Sequence, residues 1–85
     1  MVKLFAPDGA ATWLLTELDP HDPDIAFGLC DLGMGCPELG SVSLSEIESV
    51  QGRFGFYVER DLFFSTDKPL SSFTEDARTN GAIRA

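Results

Sequence analysis

The chain predicts an α+β fold, a small antiparallel β-meander of about four strands covered by a short helix, with an extended C-terminal segment. Three observations carry this prediction. Short runs in which apolar residues alternate recur between Val2 and Val42, separated by clusters of proline, glycine and aspartate. At Ser43 the period changes to that of a helix. Finally, a chain of 85 residues makes one domain that hides only around 60% of the surface its unfolded form exposes, so its core is thin and two layers are about the limit.

The elements follow in order. Val2 to Ala6 is a short extended stretch, and Pro7-Asp8-Gly9 supplies turn chemistry, so a hairpin is expected with Ala11 to Leu18 as the return strand. In that strand Trp13, Leu15 and Glu17 share one face and Thr12, Leu14 and Thr16 the other, and neither face is cleanly polar. Asp19-Pro20-His21-Asp22-Pro23-Asp24 breaks the pattern, since proline cannot donate to a ladder and restricts the residue before it. Ile25 to Leu32 resumes alternation. Ile25, Phe27 and Leu29 line one side, and Ala26, Gly28 and Cys30 leave the other small enough for close packing. After Gly33-Met34-Gly35-Cys36-Pro37, residues Glu38 to Val42 pair back as the fourth strand.

Ser43 and Glu46 have the Ser-x-x-Glu spacing of a capping box, Leu44, Ile47 and Val50 repeat at helical spacing, and Gly52 offers a stop. A helix of about two turns results. Beyond it Phe54, Phe56 and Val58 alternate as an edge strand would, Leu62-Phe63-Phe64 is an apolar anchor, and Asp67-Lys68-Pro69 marks a turn. Ser71 to Ala85 is polar with one aromatic, Phe73. The expected organisation is therefore one α+β domain over residues 1–74 and a flexible tail over 75–85.

The apolar content of 44% and seven phenylalanines supply a core and argue against disorder, despite a net charge of −8. That charge is uneven. Residues 1–50 hold nine acids against Lys3 alone, whereas residues 51–85 hold five acids and five bases. The acidic half repels nucleic acid and anionic membranes and favours a protein partner with a basic surface. Direct nucleic-acid binding is not expected from six unclustered bases. Pro7-Asp8-Gly9 interrupts the first apolar stretch before it forms a signal core, and no run is long enough to span a bilayer, so a cytoplasmic address is expected. Two cysteines, Cys30 and Cys36, are too few for a disulfide scaffold and read as thiols, structural at Cys30 and incidental at Cys36.

Residues that could do chemistry form no convincing constellation. Asp19, Asp22 and Asp24 resemble a calcium loop only faintly, lacking its glycine and closing glutamate. His21, Cys30 and Cys36 do not have zinc-site spacing, His21 is the single imidazole, and there is no nucleophile elbow or phosphate-cradling glycine loop. No catalytic residue, metal or cofactor is assigned. The strongest motif is Glu59-Arg60-Asp61, where a planar guanidinium lies between two acids. Either Arg60 pairs with an acid of the N-terminal half and ties the last segment to the sheet, or the motif contacts a partner. Trp13 and Tyr57 could anchor a partner, but in so small a domain they are first candidates for core. The candidate partner-binding residues are Asp19, Asp22, Asp24, Asp31, Glu59, Arg60 and Asp61.

Several separated blocks carry a family resemblance. Lys3-Leu4-Phe5-Ala6-Pro7-Asp8-Gly9, Thr12 to Glu17, Ala26-Phe27-Gly28, Glu38-Leu39-Gly40 through Val50, and Glu59-Arg60-Asp61 followed by Leu62 and aromatics together resemble the bacterial family of unknown function DUF2958. The resemblance implies a small cytosolic protein of the kind encoded on plasmids and integrated elements, and it brings no catalytic residues. The resemblance implies a further segment before the first strand, so this sequence is either a shortened member or one whose start is incomplete; an edge or face left uncovered would invite a homodimer.

Two main function classes follow. One is a non-catalytic protein-binding accessory factor of mobile genetic elements. The other is an acidic inhibitor that mimics nucleic acid in the binding channel of a host defence nuclease, as an anti-CRISPR or anti-restriction protein would. Mimicry requires Asp8, Glu17, Asp19, Asp22, Asp24 and Asp31 along one face, whereas an acidic balance that only solubilises scatters them. A small enzyme is a third option, dependent on His21 or Cys30.

Overall fold

A computed structural model describes residues 1–52 and 54–85. Its elements are β1 (Val2–Phe5), β2 (Thr12–Leu18), β3 (Ile25–Asp31), β4 (Glu38–Ser43), α1 (Leu44–Ser49), β5 (Glu59–Arg60) and α2 (Leu70–Asn80). The strands form one sheet in the order β4-β3-β2-β1-β5 with antiparallel neighbours. The expected α+β meander is therefore present, extended by a fifth strand and a second helix.

The mixed faces of β2 have a direct cause: both sides of the sheet are covered. On one side Trp13, Leu15 and Ala26 pack with Ile47 of α1, joined by half-buried Leu4, Val42 and Val58. On the other Leu14 and Leu29 pack with Ala77 of α2, joined by Phe64, Leu70, Phe73 and Ile83. A strand buried on both faces must be apolar in consecutive positions, as Trp13-Leu14-Leu15 is. Close packing also fixes Gly28. It lies opposite Leu15 beside a register shift between Leu15 and Glu17, and a Cβ at this position would overlap the Leu14 carbonyl oxygen.

Three expectations for the C-terminal third need correction. Residues 75–80 are the second half of α2, not part of a loose tail. Leu70, Phe73, Thr74 and Ala77 fall at helical spacing on its buried side, and Gly81, at φ 73°, closes it with its N–H donating to the Ala77 carbonyl at 2.7 Å. Phe54 and Phe56 belong to no strand. Gln51 and Tyr57 form an isolated bridge, Gly52 donates to the Phe56 carbonyl at 2.8 Å, and only Glu59–Arg60 joins the sheet. Of Leu62-Phe63-Phe64 only Phe64 is an anchor, packing 6.2 Å from Phe73 between ring centres, while Leu62 and Phe63 are 77% and 97% exposed.

Candidate functional site

Half of the expected acidic surface is used by the fold itself. Asp24 sits just before β3, and its carboxylate accepts from the Ser45 N–H at 2.9 Å and from the Ser43 and Ser45 hydroxyls at 2.6 and 2.9 Å. Ser43 accepts in turn from the Glu46 N–H at 3.3 Å, so α1 is capped by a residue distant in sequence as well as by its own N-cap. The Ser43 hydroxyl, then Ser45, hold the Asp24 carboxyl below its ordinary value of 3.8. Asp31 is a second correction: it is 2% exposed, accepting from the Gly33 N–H at 2.8 Å and the Ile83 N–H at 2.9 Å, so it secures the C-terminus of the chain against β3. Asp8 accepts from the Phe54 N–H at 2.8 Å and lies against Gly52, where a side chain would overlap its carboxyl.

Glu17, Asp19 and Asp22 remain exposed. Asp19 and Asp22 accept from the N–H groups of His21 and Asp24 at 2.8 and 3.0 Å, closing local turns. Consecutive hairpins alternate ends, so these residues lie at one end of the sheet, while Asp8 and Asp31 lie at the other. The six acids are split between the two ends of the sheet. His21 and Cys30 are likewise separated, since the five steps along β3 from Ile25 to Cys30 extend roughly 16 Å. Cys30 is half-buried, which pushes its thiol above its ordinary range, and Cys36 is exposed. Among the described residues no three His, Cys, Asp or Glu side chains are grouped as a metal would require, and no helix is long and apolar enough to cross a membrane.

The Glu59-Arg60-Asp61 motif builds the most distinctive surface. Pairing of Leu4 with Arg60 and Phe5 with Glu59 sets these residues on the sheet edge, and the Asp61 N–H extends the contact by donating to the Lys3 carbonyl at 2.9 Å. Asp61 then organises a tight turn. Its carboxylate accepts from the Phe63 N–H at 3.0 Å and lies 3.8 Å from the Lys3 ammonium, and its carbonyl accepts from the Phe64 N–H at 3.3 Å. Lys3 also donates to Ala85 and stands over the Phe64 ring. Phe64 is thereby drawn beneath α2 and its neighbour Phe63 is held outward.

The segment is thus tied to the sheet by Lys3 and Asp61, not by Arg60, which belongs to neither ion pair found among the described residues. Arg60 stands opposite Leu4 and so emerges on the α1 side of the sheet. There it borders a cleft of about 510 Å³ floored by Leu4, Leu15, Ile47 and Val58, with Glu48 of α1 also on its lining. Geometry explains the opening: a six-residue helix is about 9 Å long, whereas five strands span roughly 19 Å. With α1 following β4 directly, the helix covers that face only in part, and the cleft lies beside it between Ile47, Leu15 and Leu4.

Several large apolar side chains flank the motif in the open. Phe54, Phe56 and Tyr57 are 74%, 57% and 55% exposed, preceding it, and Leu62 and Phe63 follow it. Trp13 is core as expected, but Tyr57 is not. Three consecutive apolar residues, Leu62-Phe63-Phe64, resemble an anchor, yet Phe63 points outward. The signal that separates Phe63 from Phe64 is Asp61 two residues earlier, an aspartate able to close a turn on the N–H of residue 63.

Comparison with curated proteins and comparison with solved structures each find no match. Comparison with protein families matches residues 1–84 to the family described as "Protein of unknown function (DUF2958)". Since the match covers nearly the whole chain, and the Glu59-Arg60-Asp61 turn lies within it, the chain belongs to the DUF2958 family.

Proposed function

We propose that the protein is a non-catalytic, protein-binding accessory factor of the cytoplasm, of the kind carried by mobile genetic elements, and that it contacts its partner through residues 54–63. The observation that carries this reading is Phe63, which is 97% exposed on a turn closed by Asp61 and anchored by Phe64. An aromatic side chain has only two torsions to lose when a partner buries it, and aromatic and arginine side chains dominate the energetics of protein interfaces. Glu59 and Arg60, both exposed on β5, precede this turn as candidates for a polar rim. The partner therefore offers an apolar pocket bordered by basic groups, in keeping with the net charge of −8. Mimicry of nucleic acid has less support, because Asp8, Asp24 and Asp31 are engaged within the fold.

The test is capture from bacterial lysate on immobilised protein, comparing the native chain with Phe63→Ala, at low and moderate salt and with competing DNA. Loss of an aromatic anchor weakens such a contact by about 2 kcal/mol, or roughly thirtyfold. A retained protein lost with Phe63→Ala and unaffected by DNA supports the reading. Retention displaced by DNA but unchanged in the Phe63→Ala variant contradicts it and favours the acidic inhibitor.

A further inference from the structure

We propose that Asn80-Gly81, at the end of α2, is a self-modification site that stays inert while the helix end is docked and converts to aspartate or isoaspartate once that end is released. Asn80 is the single asparagine of the chain, and glycine follows it. With no Cβ beside it, a glycine nitrogen can approach the preceding side chain closely. It can therefore attack the asparagine side-chain carbonyl carbon. The step needs water alone. The Gly81 nitrogen gives its proton to a solvent base and bonds to that carbon, ammonia leaves carrying a proton in exchange, and water opens the resulting cyclic imide at either carbonyl. The product is aspartate or, with the main chain rerouted through the side-chain carbon, isoaspartate. Nothing is oxidised or reduced.

The fold blocks this reaction at both reacting groups. The Gly81 N–H donates to the Ala77 carbonyl at 2.7 Å, so the proton that must leave is held in the helix cap. The Asn80 side-chain amide, whose nitrogen is the leaving group, donates to the Asp76 carbonyl at 2.7 Å and to its carboxylate at 3.2 Å. Asn80 is also the last residue of a helix, and ring closure requires its ψ to leave the helical value of roughly −42°. The residues beyond Gly81 fasten this arrangement. Ile83 donates to Asp31 at 2.9 Å, Arg84 donates to Asp76 at 2.6 and 3.1 Å, and Ala85 accepts from Lys3. Conversion undoes it. The new carboxylate stands at the negative end of α2 and four residues from Asp76, where the helix dipole and a like charge both oppose it. Isoaspartate adds a further atom to the main chain at the cap. A released end is thus modified and a modified end stays loose, which makes the site a one-way latch on α2.

The experiment incubates the full chain at mildly alkaline pH, either folded or held unfolded in denaturant, and follows the tryptic peptide of residues 79–84 by mass spectrometry. The folded chain is expected to convert roughly tenfold or more slowly than the unfolded one. Phe73→Ala, assayed where circular dichroism shows the sheet intact, is expected to convert faster than the native chain, because it loosens α2 alone. The effect of conversion is read separately, by hydrogen exchange of residues 77–81 in Asn80→Asp, which carries the charge of the product, and in Asn80→Gln, which keeps an amide. Exchange is expected to be about fivefold faster in Asn80→Asp. Equal conversion of the folded and unfolded chains, or no conversion of the unfolded chain, overturns the proposal. So does a folded Phe73→Ala variant that converts no faster than the native chain, or an Asn80→Asp variant that exchanges no faster than Asn80→Gln.

Discussion

Single carboxylates do unequal jobs in this molecule, and their surroundings decide which. Asp31 closes the chain's C-terminus onto β3 through the N–H groups of Gly33 and Ile83. Asp31→Ala strands both donors, and the expected loss is about 2–3 kcal/mol, lowering the melting temperature on the order of 10 °C in calorimetry, with Asp31→Asn recovering part of it. Asp24 gives a pH signature. Its folded-state carboxyl is held below 3.8 by Ser43 and Ser45, so the cap on α1 is at full strength above 3.8, weakens as pH falls below it, and is gone once the folded carboxyl is protonated. The Ser45 amide resonance should report that transition in an acid titration, and Asp24→Asn should abolish it. Gly28→Ala tests packing: a Cβ overlaps the Leu14 backbone, so a loss of about 3 kcal/mol or more is expected in denaturant unfolding. The small side chains of Ala26, Gly28 and Cys30 made this close approach legible in the sequence, but nothing local to Asp24 or Asp31 revealed their partners, which lie 21 and 52 residues away.

At the scale of elements, local patterning identified β1 to β4 and α1 because each carries its own turn or cap chemistry. The Pro7-Asp8-Gly9 turn and the Ser43 cap are contained within a few residues and needed no tertiary information. α2 was hidden by its composition. Only Leu70, Phe73 and Ala77 present an apolar stripe, since the helix covers a narrow patch around Leu14 and Leu29 and leaves the rest of its surface polar. Pro69 before that stripe and Gly81 after it were the available signals. Its outer side is joined to the following residues by a bidentate pair, Arg84 donating to Asp76 at 2.6 and 3.1 Å, and this guanidinium lowers the Asp76 carboxyl. Hydrogen exchange should find the amides of residues 74–80 protected well beyond an unstructured chain. Exchange there at unprotected rates would contradict the packed helix. Phe73→Ala, which removes the ring packed on Phe64, is expected to release this protection and destabilise the domain by about 3 kcal/mol.

For the whole molecule, the contrast lies between charge that is spread and apolar surface that is concentrated. The excess acids occupy both ends of the sheet, and several are internal ligands for backbone N–H groups. Exposed aromatics instead gather on the segment around Glu59-Arg60-Asp61, next to a cleft that a short helix cannot cover. The sequence marked that motif as distinctive. It could not show that Arg60 faces the cleft, because that follows from pairing with Leu4, more than fifty residues earlier. The central claim is that the turn carrying Phe63 is buried by another protein chain. The most direct measurement places the photo-crosslinking residue p-benzoyl-phenylalanine at position 63 or, as comparison, at Asp19 in the acidic loop, and irradiates living bacterial cells. Discrete protein adducts from position 63 and none from position 19 are the predicted result. Adducts from position 19 alone would contradict it and return the contact to the acidic end.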